Sequence, residues 1–322
     1  MIKDFVTYIN EGLFDRNQSE FVIRKTDKGI EQLYLPKTKD ELYEYIDHAI
    51  ENAKKEGTYP NVNLNNIDVS ELGEDDLNFL FSDNNTYNQI NPDISNWGIK
   101  YIPKYFFNGN EQIKEFTIPN SVTSIGCGAF QDCKELVSVE ITNSVEKIGI
   151  RAFYRCTKLT SVTMPNGVKS IGDDAFQDCK ELVSVEIPNS VKNIENHAFA
   201  YCGKLTSVTI PNGVTSIKHS TFSNCESLSS VVIPNSVTHI GNCAFFECRG
   251  LTSVTIPNNI KCIEGGVFAY CIDLESVTIP DSVTSIRYDA FRDCNSLKSV
   301  TIPKGCHIEV SSFPEDCKII IK

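Results

Sequence analysis

A 23-residue unit repeats without insertion across most of this 322-residue chain. Its marker residues recur at that step: Phe130, Phe153, Phe176, Phe199, Phe222, Phe245, Phe268 and Phe291, with Cys133, Cys156, Cys179, Cys202, Cys225, Cys248, Cys271, Cys294 and Cys317. A fixed period of this length is the signature of a solenoid, in which each unit packs only on its neighbours. Solenoids present extended surfaces, so the repeat favours a binding function.

Each unit has the residues of two short strands and one inward-packed turn. Leu136, Val139 and Ile141 have the L-x-x-L-x-L spacing of a leucine-rich-repeat strand. A proline follows the Ile in most units and ends the strand ladder, because proline has no N–H. Val-x-x-Ile then predicts a second extended piece. The i, i+1, i+4, i+7 spacing of Ala129, Phe130, Cys133 and Leu136 predicts a short helical or 3₁₀ turn that packs inward.

Segments such as IPNSVTSIGCGAFQDCKELVSVEI resemble the BspA-like, or Treponema pallidum-type, leucine-rich repeat family. The resemblance covers about residues 95–322. It implies a right-handed solenoid with an interaction role, often at a cell surface in adhesion or host contact. It implies no catalytic residues and no cofactor.

The chain is predicted to contain a small α/β amino-terminal domain over 1–60, a degenerate capping repeat over 61–97 and the solenoid over 98–322. Solenoids need atypical end units, because an end unit would otherwise expose its apolar edge. With an α/β amino-terminal domain and a strand-rich solenoid, the predicted fold class of the chain is α/β and rich in β-structure.

Within the amino-terminal part, residues 21–35 predict a hairpin around a Thr-Asp-Lys-Gly turn. A capping box from Thr38 to Glu41, followed by an apolar face, predicts a helix over about 39–55. A shorter helix is predicted over about 3–13. At the other end, Phe313 comes one residue early and the final KIII segment predicts a closing strand between lysines.

The charge is uneven. Residues 1–97 hold 19 acidic and 9 basic residues, a net of −10, while the whole chain has −12. A nearly neutral array without a basic stripe argues against nucleic acid as a partner. No apolar run is long enough to insert into a membrane, and the first residues lack the apolar core of a signal peptide. The sequence as written thus predicts a cytoplasmic chain, whereas the family resemblance implies the cell surface or secretion.

Thirteen cysteines raise the question of disulfides. Nine occupy one repeat position, where a free cysteine serves as a small buried apolar residue. We therefore expect a ladder of reduced core thiols. Neighbouring units lie roughly 5 Å apart in a sheet, which disulfide geometry also permits.

Stacking in register turns each outward strand position into a column on the surface. The outward strand positions predict a concave face rich in Ser and Thr: Ser138, Glu140, Ser161, Thr163, Ser184, Glu186, Ser207, Thr209, Ser230, Ser253, Thr255, Ser276 and Thr278. One interpretation is a solvated row of small β-compatible hydroxyls. The other is a floor that binds a glycan or an extended polypeptide.

Aromatic residues concentrate just before the cysteine position. An aromatic stripe on the turn face is predicted from Tyr154, Tyr201, Phe246 and Tyr270. Such residues either anchor a protein interface or pack partly into the turn.

Histidine and cysteine are the residues to test for metal or thiol chemistry. His239 lies one repeat before Cys262, and the same step aligns His197, Ser220 and Cys243. Two ligands do not make a structural zinc site, and no C-x-x-C motif is present. We therefore expect no catalytic residues, no metal and no cofactor.

The sequence predicts a non-enzymatic scaffold for protein–protein interaction or adhesion, which binds a macromolecular partner through the solenoid surface. In a first alternative, the array displays the acidic amino-terminal domain as the binding element. In a second, the Ser/Thr face binds carbohydrate. A protein is the expected partner, and the oligomeric state stays open.

Overall fold

The computed structural model describes residues 99–322, together with 21–26 and 29–34. The predicted helices over 39–55 and 3–13, and the predicted capping repeat over 61–97, lie outside these residues. The predicted hairpin is confirmed: β1 (Phe21–Thr26) pairs antiparallel with β2 (Gly29–Tyr34), with Thr26 opposite Gly29.

Residues 99–322 form a parallel β-solenoid in which each 23-residue unit, here called a rung, contributes two short strands. The first set, the short-strand row, is β3 (Tyr101–Ile102), β5 (Ser124–Ile125), β7 (Lys147–Ile148), β9 (Ser170–Ile171), β11 (Asn193–Ile194), β13 (Ser216–Ile217), β15 (His239–Ile240), β17 (Cys262–Ile263), β19 (Ser285–Ile286) and β21 (His307–Ile308). The second set, the long-strand row, is β4 (Glu115–Thr117), β6 (Ser138–Glu140), β8 (Ser161–Thr163), β10 (Ser184–Val185), β12 (Ser207–Thr209), β14 (Ser230–Val232), β16 (Ser253–Thr255), β18 (Ser276–Thr278), β20 (Ser299–Ile302) and β22 (Lys318–Ile321).

Strand pairing preserves the 23-residue register. In the long-strand row Ser138 pairs with Ser161 and Ser161 with Ser184. Six of these strands, β4 to β14, form one continuous parallel sheet. The register already holds at the start of the described array, where Tyr101 pairs with Ser124.

The core is a set of buried columns that run along the solenoid. Leu, Val and Ile of the strands face inward, and the phenylalanines stack in one continuous column. Neighbouring rings from Phe107 to Phe313 have centroids 4.8 to 5.6 Å apart. Each rung therefore buries its apolar side chains against the rungs on either side.

The turn packs inward as expected, but it is not a helix. The amides of Ala129 and Gln131 donate to carbonyls three residues earlier, whereas those of Gly128, Phe130 and Asp132 donate to the next rung. Gly128 and Asp132 have φ of 60° and 56°, and such left-handed residues interrupt a helix. Successive amides of the turn thus donate alternately to a carbonyl oxygen within the turn and to one in the next rung.

The last rung departs from the register as the early Phe313 indicates. His307 pairs with Ser285, which is 22 residues earlier, and the Phe313 ring stacks on that of Phe291 at 5.1 Å. The closing strand is confirmed, because β22 pairs in parallel with β20.

Candidate binding faces

The predicted Ser/Thr face exists as the outward side of the long-strand row. Because side chains alternate along a strand, burial of Val139 and its equivalents turns the flanking serines and threonines outward. Ser138 is half-buried and the other predicted members of the face are exposed. All thirteen predicted residues therefore lie on one side of the solenoid, which we call the strand face.

The strand face also carries exposed apolar side chains, which the sequence analysis did not single out. Val137 and Val183 immediately precede strands β6 and β10 and are 37% and 46% exposed. Val232 in β14 is 57% exposed and lies beside Thr209. The signal was present in the sequence, since valine takes positions where other rungs have threonine or serine.

The predicted aromatic stripe divides into separate groups on the turn face. The rings of Phe246 and Tyr270 meet edge to face at 5.3 Å, and the Arg292 guanidinium lies 6.0 Å from the Tyr270 ring. Tyr201 is 46% exposed. The structure thus brings two of the four predicted residues into contact.

Tyr154 belongs to a second group, in which two arginines flank its ring. The guanidinium carbons of Arg151 and Arg155 lie 5.5 and 5.0 Å from the ring centroid, within cation–π distance. Arg151 also donates to Asp174 at 3.0 Å. This hydrogen bond raises the pKa of the Arg151 guanidinium.

Two histidines meet in a contact that the sequence analysis did not name. His197 packs edge to face on His219 at 5.0 Å between centroids. The spacing of 22 residues, rather than 23, explains why a strict repeat step does not reveal this contact. His239 and Cys262 occupy equivalent positions in β15 and β17, where His239 pairs with Ser216 and Cys262 with Ser285.

The His197–His219 pair continues a polar row along the turn face. Asp174 lies 3.7 Å from His197 Nδ1, and Ser220 Oγ lies 3.3 Å from His219 Nε2. His197, Ser220 and Cys243 share a left-handed backbone, with φ of 54°, 52° and 56°. Their amides all donate to the following rung, so the common backbone has a structural cause.

The cysteines form the expected core ladder of free thiols. All thirteen are unbonded to one another, and eight of the nine at the repeat position are fully buried. Each buried Sγ lies within hydrogen-bonding distance, 2.9 to 3.3 Å, of the Phe carbonyl oxygen in the preceding rung. Burial raises the pKa of Cys133, Cys225 and Cys294 to about 12.

Within residues 99–322 and the two hairpin strands, no group of three or more His, Cys, Asp or Glu is arranged to hold a metal ion. The same residues include no helix long and apolar enough to span a membrane.

Parallel strands at a 23-residue register, an inward Phe column and an outward face of small polar side chains define a leucine-rich-repeat solenoid. The model of the BspA type leucine rich repeat region matches in six copies, over residues 100–229 and 215–321. The chain therefore belongs to the BspA-type leucine-rich repeat family.

Solved structures of other leucine-rich repeat proteins are similar to this chain. The T. pallidum leucine-rich repeat protein is 28% identical, with a TM-score of 0.44, over 59% of this chain and 79% of that one. A leucine-rich cell surface protein from Faecalibacterium prausnitzii is 26% identical, with a TM-score of 0.38, over 73% and 86%. A comparison with curated proteins found no match.

Proposed function

We propose that this protein is a non-enzymatic scaffold that binds a protein partner through the strand face, in protein–protein interaction or adhesion. One observation carries the proposal: exposed valines share the strand face with small hydroxyl side chains, within a continuous six-stranded sheet and directly before its strands. A hydrogen-bonded sheet holds these side chains in fixed positions, so little conformational freedom is lost on binding.

The repetition of the strand face supports binding over catalysis. An enzyme brings chemically different groups together at one place, whereas this face presents serine at the same position of eight consecutive rungs, from Ser138 to Ser299. The valines favour a protein over a carbohydrate as the partner, because they add apolar area to the face. The cell-surface setting implied by the family stays a prediction.

The strand face is tested with paired charge-introducing variants of the intact chain. Ser184→Arg with Thr209→Arg places two charges on the strand face. Asn193→Arg with Thr215→Arg places two on exposed positions in β11 and directly before β13 of the short-strand row. Proteins retained from cell-surface extracts by the intact chain should be lost with the first variant and kept with the second. Equal retention by both variants would exclude the strand face.

A deletion of residues 1–94 tests whether the amino-terminal part is the binding element. This part is acidic, with a net charge of −10 over residues 1–97, so display of an acidic domain is the competing function. Retention of the same partners by the deletion variant supports the strand face, provided that its thermal unfolding matches that of the intact chain. Loss of all partners from a folded variant would favour the amino-terminal domain.

A further inference from the structure

The amino-terminal half of the strand face contains the same patch twice. The segment AFQDCKELVSVEI occurs at 129–141 and again at 175–187, and K-L-T-S-V-T follows both copies at 158–163 and 204–209. We define the first subsite as Val137, Ser138, Glu140, Thr160, Ser161 and Thr163. The second subsite is Val183, Ser184, Glu186, Thr206, Ser207 and Thr209.

The two subsites share their side-chain contacts, although β6 and β8 pair over three residues and β10 and β12 pair only at Ser184 and Ser207. Thr160 donates to the Val137 carbonyl at 3.1 Å, and Thr206 donates to the Val183 carbonyl at 3.3 Å. Ion pairs border them at equivalent positions: Lys158 with Glu135, and Lys204 with Glu181. The sequence duplication is therefore a duplication of surface.

The distance between the subsites limits what can occupy both. Ser138 pairs with Ser161, and Ser161 with Ser184, so equivalent residues are two strands apart. Two strand spacings amount to roughly 9.4 to 9.8 Å. Since a small domain is about 30 Å across, two folded proteins cannot bind side by side at this spacing. A single ligand with its own repeat fits both subsites.

The charges on the two subsites indicate what that ligand carries. Glu140 and Glu186 are both exposed and are the charged residues of the two subsites. In the part of the chain that the structure describes, neither forms an ion pair, and Glu140 only accepts a 3.4 Å hydrogen bond from Thr117. Two carboxylates at this spacing favour a ligand with two basic groups at the same spacing.

Polyproline II is an extended polypeptide conformation that meets this requirement. It has three residues per turn and a rise of about 3.1 Å, so residues i and i+3 lie on one face about 9.3 Å apart. In a β-strand, same-face residues recur at roughly 6.7 Å or twice that distance. A lysine or arginine at every third position of a polyproline II segment therefore matches Glu140 and Glu186.

We propose that the duplicated patch binds one extended, polyproline II segment of a partner protein, with basic residues at positions i and i+3 facing Glu140 and Glu186. The inference rests on the proposed function, since it names the partner's chemistry at the same strand face. The exposed Val137 and Val183 contact the apolar rings of prolines between the basic residues.

The experiment measures binding of synthetic peptides to the full chain by fluorescence anisotropy and calorimetry at low salt. The probe is a twelve-residue peptide of four Lys-Pro-Pro units, and its control has the same composition with the lysines grouped together. The periodic peptide should bind about tenfold more tightly than the grouped one, with one peptide per chain. Two peptides per chain, or equal affinities, would overturn the inference.

Variants of the chain test the two carboxylates and their spacing. Glu140→Gln and Glu186→Gln should each lower the affinity for the periodic peptide about threefold, as expected for exposed charge pairs. The double variant Thr163→Glu/Glu186→Thr keeps the charge but places the carboxylates one strand apart, and it should lose the preference for the periodic peptide. Glu226→Gln/Asp273→Asn removes two exposed acids elsewhere and should leave binding unchanged.

These results separate the inference from the proposed function. If the charge-introducing variant Ser184→Arg/Thr209→Arg abolishes partner capture while the periodic peptide shows no preference, the strand face binds protein and the polyproline II assignment is wrong. If neither assay responds to changes on the strand face, both proposals fail.

Discussion

At the residue scale, two columns of left-handed backbone distinguish this solenoid. Among residues 99–322 and the two hairpin strands, sixteen non-glycine residues have positive φ, and all fall at two positions of the turn. A left-handed conformation costs an L-residue roughly 1–2 kcal/mol. The conformation persists because the amides at thirteen of these positions donate to the next rung, as that of Asp178 does to Ala200 at 2.9 Å.

Replacing one of these residues tests the cost directly. Asp178→Gly should be more stable than Asp178→Ala by about 1 kcal/mol, because glycine adopts positive φ without strain. Urea unfolding monitored by circular dichroism measures the difference. Ser161→Gly and Ser161→Ala in β8 provide the control, where alanine should be the more stable. The same order at both positions would contradict a backbone cause.

Thiol accessibility gives a second expectation at this scale. Eight cysteines are fully buried, and the partly exposed ones are Cys127, Cys243, Cys262, Cys306 and Cys317. Because the thiolate is the reactive form, iodoacetamide at about pH 8 should label at most these five in the folded protein. Mass spectrometry after labelling in urea should show all thirteen. Labelling of Cys202 or Cys225 before unfolding would contradict the packed ladder.

The sequence correctly predicted which side chains are exposed or buried where they follow a simple period. The outward serines and the buried cysteines follow from alternation along a strand and from the 23-residue step. The sequence analysis did not predict the left-handed columns. Asp, Asn and Gly, which favour positive φ, recur at these positions, but Arg, Tyr and Glu interrupt the pattern. The contact between His197 and His219 was missed because it joins neighbouring columns.

At the element scale, the phenylalanine column connects each rung to the next. Stacked rings run from Phe107 to Phe313, and those of the internal rungs are fully buried. Phe313 is partly buried and stacks on Phe291. The strands themselves are only two to four residues long in this array, so packing between rungs must supply much of their stability.

Truncation of one phenylalanine ring should therefore reduce the free energy of unfolding most in the middle of the array. Phe199→Ala should lower the free energy of unfolding by about 3–5 kcal/mol, through lost burial and a cavity. Phe313→Ala should cost about half as much, because the side chain is partly exposed. Urea unfolding of both variants measures the difference. Equal costs would show that the last rung is as tightly packed as the internal ones.

Sequence patterns were sufficient to predict the strands but not the conformation of the turn. Apolar spacing around Leu136 predicted the long-strand row, and Val122 with Ile125 predicted the short-strand row. The same reasoning predicted a helical turn after Ile125, since Ala129, Phe130 and Cys133 do face inward. Hydrogen bonds from alternate amides to the next rung replaced the helical ones, and single-unit periodicity contains no information about those long-range bonds.

At the scale of the whole molecule, the buried thiols connect stability to pH. Burial raises the pKa of Cys225 to about 12, and it raises the pKa of all eight fully buried thiols of the ladder. A thiol in the unfolded chain has a pKa of about 8.5. Below that pH both states keep the proton, so the thiols make stability independent of pH. Above it the unfolded chain releases protons that the folded chain retains, and the free energy of unfolding falls.

The free energy of unfolding should fall steeply with pH, because the contributions of the buried thiols add together. Each thiol contributes about 1.4 kcal/mol per pH unit between its unfolded and folded pKa values. Eight thiols together lose on the order of 10 kcal/mol over one unit, comparable with the total stability of a typical domain. The solenoid should therefore lose most of its stability by about pH 10, and its urea midpoint should fall from about pH 7.5 through about 8.5 to about 9.5.

The double variant Cys202→Ala/Cys225→Ala should be less stable at neutral pH, because it creates cavities. Its stability should nevertheless fall about a quarter less steeply with pH, since six ladder thiols remain. An unchanged slope in this variant would assign alkaline unfolding to tyrosines and lysines instead of the thiol ladder.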